Sequence, residues 1–290
     1  MSRPVLRLLC GVPGSGKSTF AKEQMKYLSN AVHLSSDSIR EELYGDESIQ
    51  GNPAEVFDLM QKRAVEALNE GKDVLYDATN ITRKDRASII SICPKHARIE
   101  CYVIWAPIEE CMKRDSERGR TVGKAVMDKM LKRFQAPYCD EGIDEIHVIR
   151  PQEWDSDRYL HECLEKMDIP HDNPHHTLSV LEHCKSARDY IFERIWSDEL
   201  YIAAWLHDCG KPYVKSFTDA KGNPCEHAHY YQHQCVGAWM SYGFFLAYPK
   251  VAWLISTHME PYFNSKYYRN LPTYFKRDID ILHKADVESH

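Results

Sequence analysis

Two short stretches of the sequence hold residues whose types and spacing could do chemistry. In AAWLHDCGKPYVKS, from Ala203 to Ser216, a hydrophobic run ends in His207 and Asp208. A buried Asp costs free energy unless it is paired or coordinates a metal, so the doublet predicts either one hydrogen bond or a cluster of ligands. The second stretch, GVPGSGKST, fits G-x-x-x-x-G-K-[ST] between a predicted strand and a predicted helix.

The glycine-rich stretch predicts a phosphate-binding loop at a helix N-terminus, where backbone N–H groups surround an anion. We expect Lys17 to reach the β- and γ-phosphates of ATP or another nucleoside triphosphate, and Ser18 to bind Mg²⁺. A glycine-rich turn without a ligand is the alternative. The predicted nucleotide-binding residues of the loop are Gly11, Gly14, Ser15, Gly16, Lys17, Ser18 and Thr19.

Residues at the ends of the second and third predicted strands suit an acceptor site. A kinase needs a carboxylate for the proton of the acceptor hydroxyl and a cation for the acceptor's own phosphate, and Asp37 and Arg40 lie one helical turn apart. Alternatively, Asp37 caps its helix. Asp77 follows the third strand, at the sheet edge where ligands bind.

A basic segment, KRDSERGR, follows the fourth predicted strand. Arg114, Arg118 and Arg120 are close together there. Such a run is often a solvated helix face, but at this position it could also form a lid over a transferring phosphate. The four motifs of residues 1–150 together resemble the kinase domain of phage-type 5′-hydroxyl polynucleotide kinases. That resemblance implies Asp37 as general base, Arg40 on the acceptor phosphate, Arg118 on the donor phosphates and Asp77 in support.

Histidines and one carboxylate on later helix-like stretches are candidate partners for the His207-Asp208 doublet. They are His183, His233, His258 and Asp286. A lone His on an apolar helix is usually a core residue, but several in this order suit a divalent metal site in which one carboxylate bridges two metals. His227 and His229 compete with His233, and His175 and His176 precede His183.

This H…HD…H…H…D order resembles the HD phosphohydrolase superfamily over about residues 155–290. The resemblance implies one metal on His183, His207, Asp208 and Asp286, with Asp208 bridging to a second metal on His233 and His258. It also implies Lys211 facing the substrate phosphate. One or two divalent transition metals (Mn, Ni, Co, Fe or Zn) are expected. A further segment, PYFNSKYYRNLPTYFKRD, mixes aromatic and basic residues and is either a single-strand clamp or a packed loop.

Different kinds of element must position the two sites. The first half alternates five strand-like runs with helix-like stretches, which predicts an α/β domain with a parallel sheet and flanking helices over residues 1–151. The phosphate-loop motif and the resemblance imply that this is a P-loop kinase domain. The second half is a series of amphipathic helix-like stretches, which predicts an all-α domain over residues 152–290; the resemblance implies that this is an HD domain. The pattern changes in RPQEWDSD, near Arg150.

Composition narrows the functional classes. The chain has 37 Lys and Arg against 43 Asp and Glu, so a general nucleic-acid coat protein is excluded, whereas a local basic groove is not. Of the 15 histidines, 12 follow residue 150, so the halves are expected to do different chemistry. Ten Cys without a CxxC pair, no signal peptide and no membrane span predict a cytoplasmic protein with reduced thiols.

The two resemblances together imply a bifunctional enzyme that heals nucleic-acid ends. An ATP-dependent 5′-hydroxyl kinase would be joined to a 3′-end phosphatase or 2′,3′-cyclic phosphodiesterase. The substrate would be single-stranded or nicked RNA, or DNA, and a ligase would be the functional partner. The alternatives are a nucleoside or nucleotide kinase fused to a nucleotidase, and a non-catalytic, nucleotide-regulated binding module.

Overall fold

The structure is a computed structural model that describes residues 3–117, 121–173, 177–244 and 248–289. Two compact units divide the chain. The first comprises residues 1–127 and 137–151, and the second comprises residues 128–136 and 152–290. Residues 128–136 thus cluster with the second unit although they precede residue 151. The predicted domain boundary at 151/152 stays a prediction.

The first unit is built on a parallel sheet of five strands. They are β1 (Val5–Cys10), β2 (Ala31–Ser35), β3 (Asp73–Asp77), β4 (Arg98–Ile104) and β5 (Glu145–Ile149), in the spatial order β2-β3-β1-β4-β5. Its helices are α1 (Lys17–Met25), α2 (Ser36–Tyr44), α3 (Pro53–Asn69), α4 (Arg83–Ile90) and α5 (Ile108–Ser116), with a 3₁₀ turn at Cys139–Glu141. Helix α6 (Lys124–Leu131) begins in this unit and ends among the residues that cluster with the second. The predicted α/β fold of this half is confirmed.

Local sequence explains why these elements begin where they do. Pro53 occupies the first turn of α3 behind the N-cap Asn52, and Thr82 forms a capping box with Asp85 at α4. The central strand β1 is buried through Leu6, Leu8 and Leu9, because helices cover both faces of a parallel sheet. In this topology the carboxyl ends of β1, β2 and β3 share one edge.

The second unit is predominantly helical. Its helices are α7 (Ser156–Met167), α8 (Val180–Arg194), α9 (Asp198–Leu206), α10 (Lys211–Val214), α11 (His233–Ser241), α12 (Pro249–Thr257), α13 (Glu260–Phe263), α14 (Lys266–Asn270) and α15 (Thr273–Val287). Trp239 and Trp253 are fully buried in its core. The helical HD-type fold expected for this half is confirmed.

A small hairpin adds to the helices predicted for the second unit. Strands β6 (Ser216–Thr218) and β7 (Pro224–His229) pair antiparallel. Asp219 closes the turn, since its carboxylate accepts backbone N–H groups of Lys221 and Asn223 at 2.8 Å. Gly222 has a φ of 87°, which an L side chain rarely adopts. No helix in the described ranges is both long and apolar enough to cross a bilayer.

Candidate functional site

The phosphate-loop motif lies between β1 and α1. Gly16 precedes the helix with a φ of 106°, and Gly14 has a φ of 76°. A Cβ atom at Gly14 would also clash with the carbonyl oxygen of Cys111. Both positions therefore require glycine, and the loop leads directly into a helix N-terminus that can bind an anion.

Polar groups of this loop are held close to its backbone. Lys17 Nζ donates to the carbonyl oxygens of Gly11 and Val12, at 2.9 and 3.0 Å. Ser15 Oγ is buried and has no hydrogen-bond partner among the residues described. Ser18 and Thr19 lie in the exposed first turn of α1. The loop thus brings the ammonium group of Lys17 close to the backbone N–H groups at the start of α1. The binding of a triphosphate requires both kinds of group.

Asp37 and Arg40 form an ion pair in α2. Arg40 Nη1 donates to Asp37 Oδ1 at 2.7 Å. The N-cap is Ser35, whose Oγ accepts the N–H of Asp37 at 3.3 Å, so the Asp37 carboxylate is not the cap. Asp37 is about half exposed whereas Arg40 is largely buried. The pair can therefore present a carboxylate oxygen and a cation to one acceptor molecule.

Asp77 ends β3 beside the phosphate loop. In the sheet it lies opposite Leu9 of β1 and Ser35 of β2. His33 Nε2 lies 3.3 Å from its Oδ2, and Asp77 is buried. Three residues on, Asn80 Nδ2 donates to the carbonyl of Leu9 at 2.8 Å. The segment after β3 therefore supports the strand that leads into the loop.

Part of the predicted basic lid contacts the phosphate loop. Arg114 Nη1 donates to the carbonyl of Gly14 at 3.5 Å. Asp115 is buried and accepts the N–H groups of Val122 and Gly123 at 3.0 Å. These bonds join the end of α5 to the residues just before α6. Arg118 and Arg120 lie outside the described residues, so the role predicted for Arg118 stays a prediction.

The structure brings the six predicted metal ligands of the second unit together. They are His183 in α8, His207 and Asp208 after α9, His233 at the start of α11, His258 after α12 and Asp286 in α15. Each is at most 8% exposed, so the cluster is buried. His227 and His229, the competitors of His233, lie on β7 instead.

Asp208 belongs to two potential metal-binding groups at once. One group is His183, His207 and Asp208, and the other is Asp208, His233 and His258. Asp208 Oδ2 lies 3.4 Å from His207 Nε2, whereas Oδ1 lies 3.1 Å from His233 Nε2. A carboxylate with one oxygen toward each group has the arrangement of a bridging ligand.

Asp286 extends the first group. Its Oδ1 lies 2.9 Å from His183 Nε2 and 3.4 Å from His207 Nε2. Burial alone would raise the pKa of Asp286, but hydrogen bonds from His183 and His207 hold it well below its usual range. The carboxylate is therefore ionised and can serve as an oxygen ligand.

Backbone carbonyls orient all four imidazole rings of the cluster. Nδ1 of each ring donates to a carbonyl oxygen, at 2.8 to 3.2 Å. The pairs are His183 with Ser289, His207 with Ala204, His233 with Tyr230 and His258 with Ile255. Such bonds place a proton on Nδ1, so Nε2 is the nitrogen that faces the cluster and would coordinate a metal once it carries no proton.

The ring nitrogens that face each other make this cluster suited to a cation. His233 Nε2 and His258 Nε2 are 3.1 Å apart, and His183 Nε2 and His207 Nε2 are 3.3 Å apart. Two lone pairs at such a distance require a proton or a metal between them. Burial, together with His233 and His207, lowers the pKa of His258 to about 3, so this ring is neutral and can coordinate. The residues present therefore fit one or two divalent metals.

Family models match both units. A model described as an AAA domain matches residues 6–137, and a model described as an HD domain matches residues 175–285. The chain joins a P-loop domain of the AAA type to an HD domain. Five of the six predicted ligands lie within the HD match, and Asp286 follows it directly. Both domain types support assigning the chain as an enzyme, with nucleotide and Mg²⁺ at the P-loop and divalent metal at the HD cluster.

Two curated proteins are similar to parts of the chain. Transcription factor bHLH140 of Arabidopsis thaliana is 28% identical over 152 residues, which are 50% of this chain and 16% of that protein. L-seryl-tRNA(Sec) kinase of Methanococcus maripaludis is 29% identical over 170 residues, which are 56% of this chain and 65% of that protein. The chain thus spans less than two thirds of the length of either relative.

Solved structures overlap with the chain at low TM-scores. A Pnkp1/Rnl/Hen1 RNA repair complex matches with a TM-score of 0.41 and 26% identity, over 46% of this chain and 44% of that chain. A fungal RNA kinase matches with a TM-score of 0.38 and 14% identity, over 71% of this chain and 96% of that chain. At these TM-scores neither overlap bears on the substrate.

Lys211 of the HD domain contacts the shared carboxylate. Its Nζ lies 2.6 Å from Asp208 Oδ2. Burial alone would raise the pKa of Asp208, but the charges of Lys211 and His207 hold it well below its usual range. Asp208 is therefore ionised beside the His rings, as a metal ligand must be.

Sequence reasoning missed a histidine next to this lysine. His171 is 1% exposed, and its Nε2 lies 3.2 Å from Lys211 Nζ. Burial and the charge of Lys211 lower the pKa of His171 to about 4, so the ring is neutral at pH 7. The available signal was a second His-Asp doublet, His171-Asp172, but it precedes α8 and no helical pattern marks it.

The aromatic and basic segment after His258 divides into packed and exposed residues. Tyr267 OH accepts from Trp253 Nε1 at 3.1 Å, and Phe275 packs edge-on against Trp253. In contrast, Tyr262 and Phe263 of α13 are 53% and 61% exposed. The packed-loop interpretation therefore holds for Tyr267 and Phe275, whereas Tyr262 and Phe263 remain more than half exposed.

Proposed function

We propose that the chain is an RNA end-healing enzyme with two activities. The P-loop domain would transfer the terminal phosphate of ATP to a 5′-hydroxyl. The HD domain would remove a 3′- or 2′-phosphate, or open a 2′,3′-cyclic phosphate. The observation that carries the proposal is the presence in one chain of a phosphate loop, an Asp37–Arg40 pair that follows a strand of the same parallel sheet, and a buried His/Asp cluster centred on Asp208.

The chemistry of broken RNA links the two activities. Cleavage by a ribonuclease can leave a 5′-hydroxyl and a 2′,3′-cyclic phosphate, whereas ligation needs a 5′-phosphate and a 3′-hydroxyl. One phosphoryl transfer and two hydrolyses convert the first pair of ends into the second: water first opens the cyclic phosphate to a monoester, and a second water then releases that monoester as inorganic phosphate. Because the healed ends are those that ligation needs, a ligase is the proposed functional partner. The proposed location is the cytoplasm.

In the kinase reaction each residue has a separate task. Lys17 would leave the carbonyls of Gly11 and Val12 and bind the β- and γ-phosphates, while Ser18 would hold Mg²⁺. Asp37 would accept the proton of the attacking hydroxyl. Because Arg40 now pairs with Asp37, an acceptor phosphate would compete for its guanidinium and so release Oδ1 to the hydroxyl.

In the hydrolytic reaction the residues of the HD domain would hold the metals and place a positive charge next to the substrate phosphoryl group. His183, His207, Asp208 and Asp286 would hold one metal, and Asp208, His233 and His258 the second. Bound divalent metal would activate water and stabilise charge on the phosphoryl group. Lys211 would add a positive charge next to that phosphoryl group.

Two observations favour a nucleic-acid substrate over a free nucleotide. Tyr262 and Phe263 are exposed in α13, which begins two residues after the predicted ligand His258. Aromatic faces can stack on the bases of single strands, and Lys266 and Arg269 follow nearby in the chain. One curated relative is named as a kinase of L-seryl-tRNA(Sec), which supports a hydroxyl acceptor carried on RNA.

One assay separates this proposal from nucleotide metabolism. Purified protein is incubated with ATP, Mg²⁺ and an RNA oligonucleotide that carries a 5′-hydroxyl and a 3′-phosphate, and in parallel with the matching DNA and with mononucleosides. We expect a 5′-phosphate on the RNA and, with no need for ATP, loss of its 3′-phosphate. Phosphorylation of mononucleosides but of no oligonucleotide would instead show a nucleoside kinase.

A further inference from the structure

His171 accepts a hydrogen bond from the ammonium group of Lys211. The Nδ1 of His171 donates to the carbonyl of Leu178 at 2.9 Å, so its Nε2 carries the lone pair. That atom lies 3.2 Å from Lys211 Nζ, and an ammonium can only donate. His171 lies upstream of the residues matched by the HD family model, which begins at residue 175.

Two hydrogen bonds join the backbone at His171 and Asp172 to residues in and just after strand β7. The Tyr230 hydroxyl donates to the carbonyl of His171, and the Ala228 N–H donates to the carbonyl of Asp172 at 2.9 Å. The Tyr230 ring also lies 5.5 Å from Lys211 Nζ, which gives a cation–π contact. Tyr230 therefore contacts both His171 and the lysine that His171 contacts.

Lys211 keeps one donor for a ligand. Its Nζ has three protons, and within the described part of the chain it donates a hydrogen bond to His171 Nε2 at 3.2 Å and forms an ion pair with Asp208 Oδ2 at 2.6 Å. A lysine side chain has about 2 kcal/mol of rotamer entropy to lose when it is fixed. Here that cost is met during folding, so the ammonium is in place before a phosphate arrives.

We propose that His171 is a positioning residue, which fixes Lys211 as a clamp for the substrate phosphate at the HD cluster. This inference rests on the proposed hydrolytic function. His171 touches neither the phosphate nor the reacting atoms. It acts by accepting one N–H of Lys211 while the charge of Asp208 holds the ammonium, so that a remaining N–H is directed to a phosphate oxygen.

Two substitutions separate this role from a structural one. In His171→Gln, the side-chain oxygen reaches the position of Nε2 and can accept from Lys211. In His171→Asn, the shorter amide can replace Nδ1 and donate to the carbonyl of Leu178, but it does not reach Lys211. We expect Gln to preserve the clamp and Asn to lose it. If His171 served only to hold the backbone through Leu178, Asn would preserve phosphate binding and Gln would weaken it.

The direct measurement is binding of inorganic phosphate to metal-loaded protein by titration calorimetry. His171→Asn should weaken phosphate binding about tenfold, as expected for the loss of one hydrogen bond to a charged group. His171→Gln should stay close to wild type. Metal content is measured on every sample, and the exposed His161 of α7 gives the matched control, His161→Asn. With a phosphate-ester substrate, KM should rise in His171→Asn and stay close to the wild-type value in His171→Gln.

The decisive step is a double-mutant cycle with Lys211→Met. If His171 acts through Lys211, His171→Asn adds no loss of phosphate binding in the Lys211→Met background. Additive losses, or equal losses for Asn and Gln at normal metal content, would overturn the clamp. If wild type hydrolyses no phosphate ester but the phosphate titrations still show the cycle, then the proposed function fails and the clamp stands.

Discussion

Asp208 is the residue on which both metal groups depend, because each of its oxygens faces a different pair of imidazoles. The carboxylate is buried, and its Oδ2 lies next to Lys211 as well as next to His207. Its removal would leave a buried ammonium and several ring nitrogens without their shared anion. Loss of one charge from such a site costs more than loss of one contact.

Asp208→Ala should therefore lower metal content more than His258→Ala does. The first substitution removes a ligand from both groups, and the second removes one ligand from one group. Metal per chain is measured by elemental analysis after dialysis. Asp189→Ala, which removes an exposed carboxylate from α8, is the control. Wild-type metal content in Asp208→Ala would mean that His207 and Asp208 are a hydrogen-bonded core pair.

Arg40 decides how the acceptor is held if the kinase proposal is right. Arg40→Ala should raise the KM for a 5′-hydroxyl oligonucleotide about 10- to 100-fold, the range expected for loss of a charged hydrogen bond to phosphate. Affinity for ATP should change little, because Arg40 pairs with Asp37 and has no contact with the phosphate loop among the described residues. Steady-state kinetics against each substrate measures the difference.

The acceptor itself supplies the control for Arg40. An acceptor without a phosphate next to its hydroxyl has nothing for the guanidinium to bind. Its already weak reaction should lose little further rate in Arg40→Ala. An equal loss with both acceptors would argue that Arg40 serves only to hold Asp37.

At the scale of elements, a buried ion pair stabilises the part of the P-loop domain that supports its loop. Arg86 of α4 is fully buried and donates to both oxygens of Glu141, at 2.7 and 2.6 Å. Its third contact is the carbonyl of Asn80 at 2.9 Å. Asn80 in turn holds β1 just before the loop, so the pair links the 3₁₀ turn to the nucleotide site.

Arg86→Leu should destabilise the P-loop domain by about 3–5 kcal/mol, because it leaves the Glu141 carboxylate buried and unpaired. The double variant Arg86→Leu/Glu141→Leu should recover much of that stability. The measurement is the midpoint of thermal unfolding of the P-loop domain. Its transition is identified as the one whose midpoint rises when ATP is added. The exposed pair of Arg63 and Glu42 supplies the control, since Arg63→Leu should shift this midpoint far less. Equal shifts would show that burial of the pair is unimportant.

Elements differ in how well the sequence predicts them. The five strands and the ligand helices were predictable because their hydrophobic periodicity is strong and their ends carry turn or cap residues. The hairpin of β6 and β7 was not, because strands of three and six residues give little periodic signal. His171 was missed for a related reason: its role depends on a tertiary contact with Lys211, which no local pattern shows.

At the scale of the whole molecule, each unit has its own buried core. Leu6, Leu8 and Leu9 lie in the first, and Trp239 and Trp253 lie in the second. Each predicted site draws its described residues from one unit. The proposed activities should therefore be separable by substitutions that leave the other core intact.

Reciprocal losses test this independence. Lys17→Ala should reduce kinase activity about 100-fold or more, because the charge on the β- and γ-phosphates is lost, and should leave phosphate hydrolysis unchanged. Asp208→Ala should do the opposite. Both activities are measured on the same preparation of each variant. Loss of both activities in either variant would contradict separate sites.

Removal of metal should also affect the two activities differently. A P-loop holds Mg²⁺ through a hydroxyl and the phosphates of the nucleotide, and the weakly held ion exchanges freely. The HD cluster offers four imidazole nitrogens and two carboxylates, a set that favours Mn, Fe, Co, Ni or Zn over Mg²⁺. Protein stripped with a chelator and returned to Mg²⁺ should therefore regain kinase activity at once, whereas hydrolysis should return only with a transition metal. Burial alone would lower the pKa of His207, but the charge of Asp208 raises it well above its usual value. Because His207 must lose a proton to bind that metal, metal affinity should rise with pH, as titrations at pH 6 and pH 8 would measure. Full recovery of hydrolysis with Mg²⁺ alone would refute a nitrogen-rich metal centre as the site of that activity.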